Sequence, residues 1–380
     1  MRVAVVAGPD PGHAFPAVAL CLRLRDAGDE PVLFTGTRWL DRVRAEGLWC
    51  EELPGLRASG ADRDAGARLH ARAAQMSTPL LELLRQVRPD VVVADALTAC
   101  GGLAAERAGL GWVELSPHPL YLPSRGLPPI GSGLAPGHGM FGMVRDAAMR
   151  GLSARSWRQG RQQRRLARLG VGLAAQDPGP TARLVATLPA LELPRPDWPP
   201  RCHLVGPLLW DPVTTVLDPP PGDGALVLLS ASTAAGGASG LVEAALAGLT
   251  GVRMAVTQLD ANEPRRLADW AVVGAGTQHA LLAAADVVVC GGGHGMLARS
   301  LLAGVPVVAV PGGGDQWELA QRAARQGSGL VVRPLTPSAL ALAVRRVLTE
   351  PAFATSARLA ACSVRDVRDD PVLVCRAAAG

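Results

Sequence analysis

The chain has 380 residues, of which 48% are hydrophobic and 19% charged, and a net charge of +5. That balance belongs to a folded globular protein long enough for two domains, and it excludes a disordered chain. Aromatic residues make up 3% and every basic residue is Arg, never Lys, so the mild positive charge lacks the basic-aromatic interleaving of a nucleic-acid surface.

Cysteines stand at 21, 50, 100, 202, 290, 362 and 375, odd in number and without a C-x-x-C pair. This usage predicts a reducing, cytoplasmic setting with neither a disulfide framework nor a zinc site. The apolar run after Arg2 ends at Gly8 and enters a Pro/Gly turn, unlike a signal peptide. No uncharged apolar run reaches the roughly 18 residues needed to span a bilayer.

In chain order, Val3 to Ala7 is a short apolar strand, followed by a loop through His13 and a helix starting near Pro16 and ending at Gly28. Pro31 to Thr35 is the next strand, and Arg38 to Glu46 a helix stopped by Gly47. Leu69 to Val87 predicts a longer helix, Val91 to Ala94 a strand ending on Asp95, and Trp112 to Leu115 a strand after a further helix. Strands alternating with helices call for a parallel sheet covered on both faces, with ligands beyond the carboxyl ends of the strands. His13 and Asp95 both fall at such ends.

Residues 116 to 139 break that rhythm with a Pro- and Gly-rich stretch carrying His118, Tyr121 and His138. A loop of that length in a compact domain is usually functional or mobile. Phe141 to Leu169 predicts a helix with Arg158, Arg161, Arg165 and Arg168 on one face. A solvated face and a patch touching acidic lipid headgroups are both open readings of it. The proline-rich run from Pro178 to Gly224 marks an interdomain connection.

A second alternation starts at Ala225 to Ser230. Its centre is an apolar strand at Val287 to Val289, then Gly291, Gly292, Gly293, His294 and Gly295, a helix from Met296, and a strand at Val305 to Val310. A glycine turn opening a helix offers free amides to an anion without a Cβ in the way. The spacing is neither G-x-G-x-x-G nor a P-loop, so no nicotinamide- or P-loop-type nucleotide site is implied. Thr336 and Pro337 form an N-cap and N1 pair for a helix ending near Leu348, and the tail is helical at its end.

Taken in order, the motifs are GHAFP (Gly12 to Pro16), VADA (Val93 to Ala96), GPLLWDP (Gly206 to Pro212), LLSAST (Leu228 to Thr233), GGHG (Gly292 to Gly295) and Asp315 with Gln316. Over nearly its whole length the chain resembles the GT-B glycosyltransferases that use nucleotide-diphosphate sugars and invert the anomeric centre, the family 1-like group. The resemblance implies an α/β protein with two Rossmann-like parallel-sheet domains facing across a cleft. The acceptor half would span 1–212 and the donor half 213–362, with a helix in 363–380 returning to the first. It also implies a metal-independent hexosyl transfer from a nucleotide-diphosphate sugar, UDP or dTDP, to a hydrophobic small-molecule or lipid acceptor. Monomer and homodimer are both compatible with it, as is peripheral membrane contact.

By the same resemblance His13 is the general base and Asp95 the carboxylate that orients it. Ser230, Ser232, Thr233, Gln278, Gly292, Gly293, His294, Gly295, Asp315 and Gln316 bind the donor. The Pro/Gly-rich loop with His118 and Tyr121 shapes the acceptor pocket, and no D-x-D pair suggests a metal. Each residue also has a structural reading: His13, His294 and Asp95 as helix caps, Asp315 and Gln316 as an ordinary polar loop. Three positions depart from the family pattern. Gly291 stands where a His precedes the glycine pair, Met296 where Thr or Ser follows, and Ala275 where an aromatic stacks on the base, with Trp270 close by. A degenerate GT-B protein that binds without turnover, and a UDP-sugar epimerase, are the alternatives these departures leave.

Overall fold

The computed structural model describes residues 1–56, 66–230, 238–260 and 263–380. Ser232 and Thr233 lie outside the described residues. Within these, the strands form two sheets of seven.

The first sheet consists of β1 (Arg2–Val6), β2 (Glu30–Thr35), β3 (Trp49–Glu52), β4 (Val91–Asp95), β5 (Trp112–Ser116), β6 (Ala182–Val185) and β7 (Cys202–Leu204). All pair in parallel in the order β3-β2-β1-β4-β5-β6-β7. The second consists of β8 (Leu226–Ser230), β9 (Arg253–Thr257), β10 (Arg265–Ala268), β11 (Ala271–Gly274), β12 (Val287–Cys290), β13 (Val307–Ala309) and β14 (Gly329–Val331). Its order is β10-β11-β9-β8-β12-β13-β14, parallel except for the β10–β11 hairpin.

The helices are α1 (Pro11–Asp26), α2 (Leu40–Ala45), α3 (Arg72–Val87), α4 (Cys100–Arg107), α5 (Gly139–Gly170) and α6 (Leu241–Gly248), then α7 (Gln278–Ala284), α8 (His294–Leu302), α9 (Gln316–Arg325), α10 (Pro337–Thr349), α11 (Pro351–Cys362) and α12 (Pro371–Ala378). Helices on both faces explain why the central strands are apolar without alternation: β1, β4, β8 and β12 are buried along nearly their whole length. The fold is that of two doubly wound sheets, each with a reversal of strand order beside its first strand.

Four local expectations need correction. The first helix begins at Pro11, not near Pro16, because Asp10 is extended and Pro11 takes the N1 position that proline favours. His13 therefore sits in the first turn of a helix, not in a loop. The short strand β3 was not predicted; its pattern, with Cys50 inward and Trp49, Glu51 and Glu52 exposed, is that of a brief edge strand. The run from Pro178 to Gly224 is more than a connection, since it contributes β6 and β7 to the first sheet. Arg168 does not belong to a solvated arginine face. It is 2% exposed and forks onto both carboxylate oxygens of Glu106 at 2.8 and 2.7 Å, while Arg158, Arg161 and Arg165 are exposed.

The chain ends on the sheet where it began. Helix α12 packs against β4, β5, β6 and α1, and Arg376 donates to the Asp29 carboxylate and the Ala27 carbonyl at 3.1 and 2.8 Å. All seven cysteines are free. Among the described residues no helix is long and apolar enough to cross a membrane.

Candidate active site

Two switch points define where ligands can sit. In the first sheet the chain moves from β1 outward to β2 and β3, then returns to β4 on the other side of β1. In the second it moves from β8 to β9, and later places β12 on the other side of β8. A crevice opens beyond the carboxyl ends of strands at such a reversal. His13 and Asp95 flank the first reversal; Ser230 and the glycine turn flank the second, Ser230 being paired in register with Cys290.

His13 and Asp95 are 82 positions apart in sequence, yet Nδ1 of His13 lies 2.6 Å from Oδ1 of Asp95. An ionised carboxylate only accepts, so Nδ1–H donates and the lone pair of the neutral ring is left on Nε2. Burial, the largest single influence, works against the charged imidazolium, but the Asp95 charge and hydrogen bond together with Asp10 and Asp315 outweigh it, and the His13 pKa lies above its ordinary value. The His13 side chain keeps 18% exposure while the Asp95 side chain has none, so the base is open on one side and its partner is sealed.

Asp95 is held in turn. Its Oδ2 accepts from the Leu97 amide at 3.1 Å and from the Thr98 hydroxyl at 3.0 Å. These bonds close the turn ahead of α4, whose first helical residue is Cys100, so Asp95 does not cap that helix. Helix α4 comes close to the sheet because Gly101 is there: a Cβ at that position would stand 2.8 Å from the Ala94 Cβ.

On the other side, Gly293 is the extended N-cap of α8 and His294 its first helical residue. No side chain caps the helix, so the amides of its first turn have no intrahelical acceptor. Gly292 has a φ of 76°, and a Cβ there would press on the Gln316 carbonyl at 3.2 Å. Gly293 and Gly295 differ: a Cβ at either would meet nothing within 4 Å. Their bareness serves open space, not the packing of the protein.

Asp315 occupies the N-cap position of α9 without capping it through its side chain. Its Oδ2 instead accepts from the Tyr121 hydroxyl at 3.1 Å. Gln316 is 4% exposed, and its Oε1 accepts from the Gly312 amide at 2.9 Å. Gln278 begins α7, where its amide donates to Asp211 at 2.7 Å. His118 stacks on Tyr121, with centroids 4.2 Å apart and planes at 17°. Its Nδ1–H donates to the Pro119 carbonyl at 2.8 Å, and burial lowers its pKa, so it is neutral where His13 can still take a proton.

The structure therefore brings His13, Asp95, His118, Tyr121 and Asp315 into one electrostatic neighbourhood. His294 joins it, since His118 contributes to its depressed pKa. Tyr121, predicted for the acceptor side, bonds a donor-side residue. Among the described residues no group of three or more His, Cys, Asp or Glu side chains is placed to hold a metal ion.

Comparison with known proteins agrees with the two-sheet fold. Residues 252–369 match the model of the Erythromycin biosynthesis protein CIII-like, C-terminal domain. The 4'-demethylrebeccamycin synthase of Lentzea aerocolonigenes is 29% identical over 96% of this chain and 95% of its own. The crystal structure of the glycotransferase of kitacinnamycin superposes with a TM-score of 0.76 at 20% identity, covering 99% of this chain and 97% of that one. Spinosyn rhamnosyltransferase SpnG complexed with thymidine diphosphate does so at 0.71 and 19%, covering 99% of each chain. This chain has the GT-B fold and is similar along nearly its whole length to glycosyltransferases.

Several residues around this crevice carry no sequence signal. Arg195 donates to the carbonyls of Leu120 and Leu122, and Glu192 accepts from the Leu120 amide at 2.6 Å, so both grip the segment bearing His118 and Tyr121. Arg322 of α9 reaches the Leu191 carbonyl at 2.9 Å and pairs with Glu318 at 3.0 Å. Glu318 accepts from the Gly133 amide at 2.8 Å, and the Trp317 indole N–H donates to the Ser132 carbonyl at 3.2 Å. The irregular loop of the first half is thus fastened along α9 of the second. The GPLLWDP segment ties the halves again: Trp210 packs edge-on against Phe15 of α1 at 5.3 Å, and Arg299 of α8 donates to its carbonyl. A small cavity is lined by Asp95, His70, Glu106, Trp112, Glu114 and Arg164, and among the described residues the buried Trp112 indole N–H has no hydrogen-bond partner.

Proposed function

We propose that this glycosyltransferase moves a hexose, with inversion, from a nucleotide-diphosphate sugar to a hydroxyl of a hydrophobic small molecule. The observation that carries the reading is the 2.6 Å His13–Asp95 contact at the first switch point. It leaves the basic lone pair of the neutral ring on Nε2. An acceptor O–H gives its proton to Nε2 of His13 while its oxygen attacks C1 of the sugar. The C1–O bond to the diphosphate breaks, and the electron pair leaves with the phosphate. Asp95 keeps the ring in the right tautomer and stabilises the imidazolium, a contribution of general-base type worth roughly 10²–10⁴-fold.

Developing charge on the diphosphate is met by the first amides of α8 and its dipole and by Ser230 at the end of β8, with Ser232 and Thr233 assigned to it by the family resemblance alone. Gly293 and Gly295 leave the room that a phosphate needs against the backbone. Asp315 and Gln316 hold sugar hydroxyls, and Gln278 lies on the nucleoside side. The bound nucleotide of the SpnG complex is thymidine diphosphate, which supports a dTDP-sugar ahead of a UDP-sugar. The domains we assign are 1–212 and 213–362, with 363–380 belonging to the first half.

The test is a panel of dTDP-, UDP- and GDP-hexoses with and without hydrophobic polyol acceptors, read by thermal shift and by product analysis. Transfer with an inverted anomeric centre, lost in His13→Ala, is expected. If no nucleotide sugar raises the melting temperature, the donor site is misassigned. If one binds but His13→Ala changes nothing in its turnover, the catalytic role is wrong.

A further inference from the structure

The glycine turn ahead of α8 carries one side chain with hydrogen-bonding nitrogen, His294, and that side chain reaches across to the other half. Its Nε2 lies 2.8 Å from Oγ1 of Thr187. Thr187 stands two residues beyond the end of β6 and has no exposed surface.

Which group donates can be worked out. A threonine hydroxyl has one hydrogen to place and two lone pairs. Among the described residues, His294 is the only hydrogen-bond partner of the Thr187 hydroxyl. Leaving a buried O–H unmet costs its full desolvation penalty, whereas an under-used lone pair costs less. Thr187 therefore donates and Nε2 accepts. Burial, reinforced by His118 and Arg322, lowers the His294 pKa to about 3, so the ring is neutral at neutral pH. A neutral imidazole that accepts at Nε2 carries its proton on Nδ1.

This matters because the chain lacks two donors at the turn. Gly291 and Met296 offer no side-chain hydrogen bond, while His294 stands between them at the first position of the helix. We propose that Thr187 is a positioning residue that fixes His294 as its Nδ1–H tautomer, so that the imidazole gives a neutral hydrogen bond to the leaving diphosphate. The proposal rests on the donor-site reading above and adds a residue from the opposite half to it. A donor locked this way does not change with pH over the range in which His13 titrates, so the two histidines work independently.

The experiment uses the full chain and two readouts. The first is long-range ¹H–¹⁵N NMR of histidine-labelled protein, with the His294 signals assigned through His294→Ala. Wild type and Thr187→Ser should show the proton on Nδ1, and Thr187→Val should lose that preference. The second is calorimetric binding of thymidine diphosphate. Removing one charge-assisted hydrogen bond should weaken it about tenfold in Thr187→Val, with Thr187→Ser close to wild type and the acceptor KM unchanged. A proton found on Nε2 in wild type overturns the assignment, even if Thr187→Val fails to fold. Equal affinity in wild type and Thr187→Val overturns the role. If wild type binds no nucleoside diphosphate while the tautomer is as stated, the donor-site reading falls and takes the role with it.

Discussion

The Tyr121 hydroxyl donates to the Asp315 carboxylate at 3.1 Å, and the two residues come from opposite halves of the molecule. The first lies in the irregular loop after β5, the second at the start of α9. Arg195 and Glu192 hold the loop around Tyr121, and Glu318 and Trp317 hold its far end against α9. The irregular loop and the Asp315 carboxylate are thus mechanically one piece. Tyr121→Phe keeps the ring and its stack on His118 but removes the hydroxyl. The expected result is a donor KM changed severalfold with a stability loss of about 1 kcal/mol, measured by steady-state kinetics and denaturant melts. An unchanged donor KM would show that Asp315 needs no partner across the gap.

The His13–Asp95 pair predicts a pH profile. With His13 as the proposed base, Nε2 must be unprotonated, so kcat/KM rises with pH through the His13 pKa, which lies above its ordinary value because the Asp95 charge and hydrogen bond, with Asp10 and Asp315, together outweigh burial. Asp95→Asn removes that charge while leaving burial in place, so the midpoint should move to lower pH. The same change should lower the plateau rate by roughly 10²–10⁴-fold, since the ring is no longer held in its Nδ1–H tautomer. A pH series on the two proteins decides it. A midpoint that stays put in the variant would show that Asp95 does not set the basicity of His13.

The Arg168–Glu106 pair predicts a stability effect separate from chemistry. Both guanidinium nitrogens of the fork are engaged, and Asp177 adds a third contact at 3.4 Å. Glu106→Gln leaves a buried cation short of its partner, at a cost of about 3–5 kcal/mol. Arg168→Met, which removes the charge and keeps an apolar stem, should cost less than Glu106→Gln. Denaturant unfolding of both variants measures the difference, and the reverse ranking would show that packing, not charge, is what Arg168 supplies.

Much of this was readable from the chain itself. Apolar strands without alternation, spaced by helices, already require parallel sheets buried on both faces. The glycines at 291 to 293 ahead of α8 announce a helix N-terminus with room beside it. The motif order, from His13 to Gln316, already carries the resemblance to GT-B glycosyltransferases. Local boundaries were less legible. Proline at 16 suggested a helix start, but proline at 11 together with an extended Asp10 moved it forward by about one and a half turns.

What sequence determined, then, is periodicity and local stereochemistry: which segments are strands, where a turn must be glycine, which side chains could act as base or as anion donor. Tertiary structure alone decided which of those groups meet. The 2.6 Å approach of His13 to Asp95 depends on β4 returning to pair beside β1. Thr187, Glu192, Arg195 and Arg322 gain their meaning only when the two sheets face each other. The reason is physical: periodicity acts within a few residues, whereas a hydrogen bond between groups scores of positions apart exists only after the intervening chain has packed.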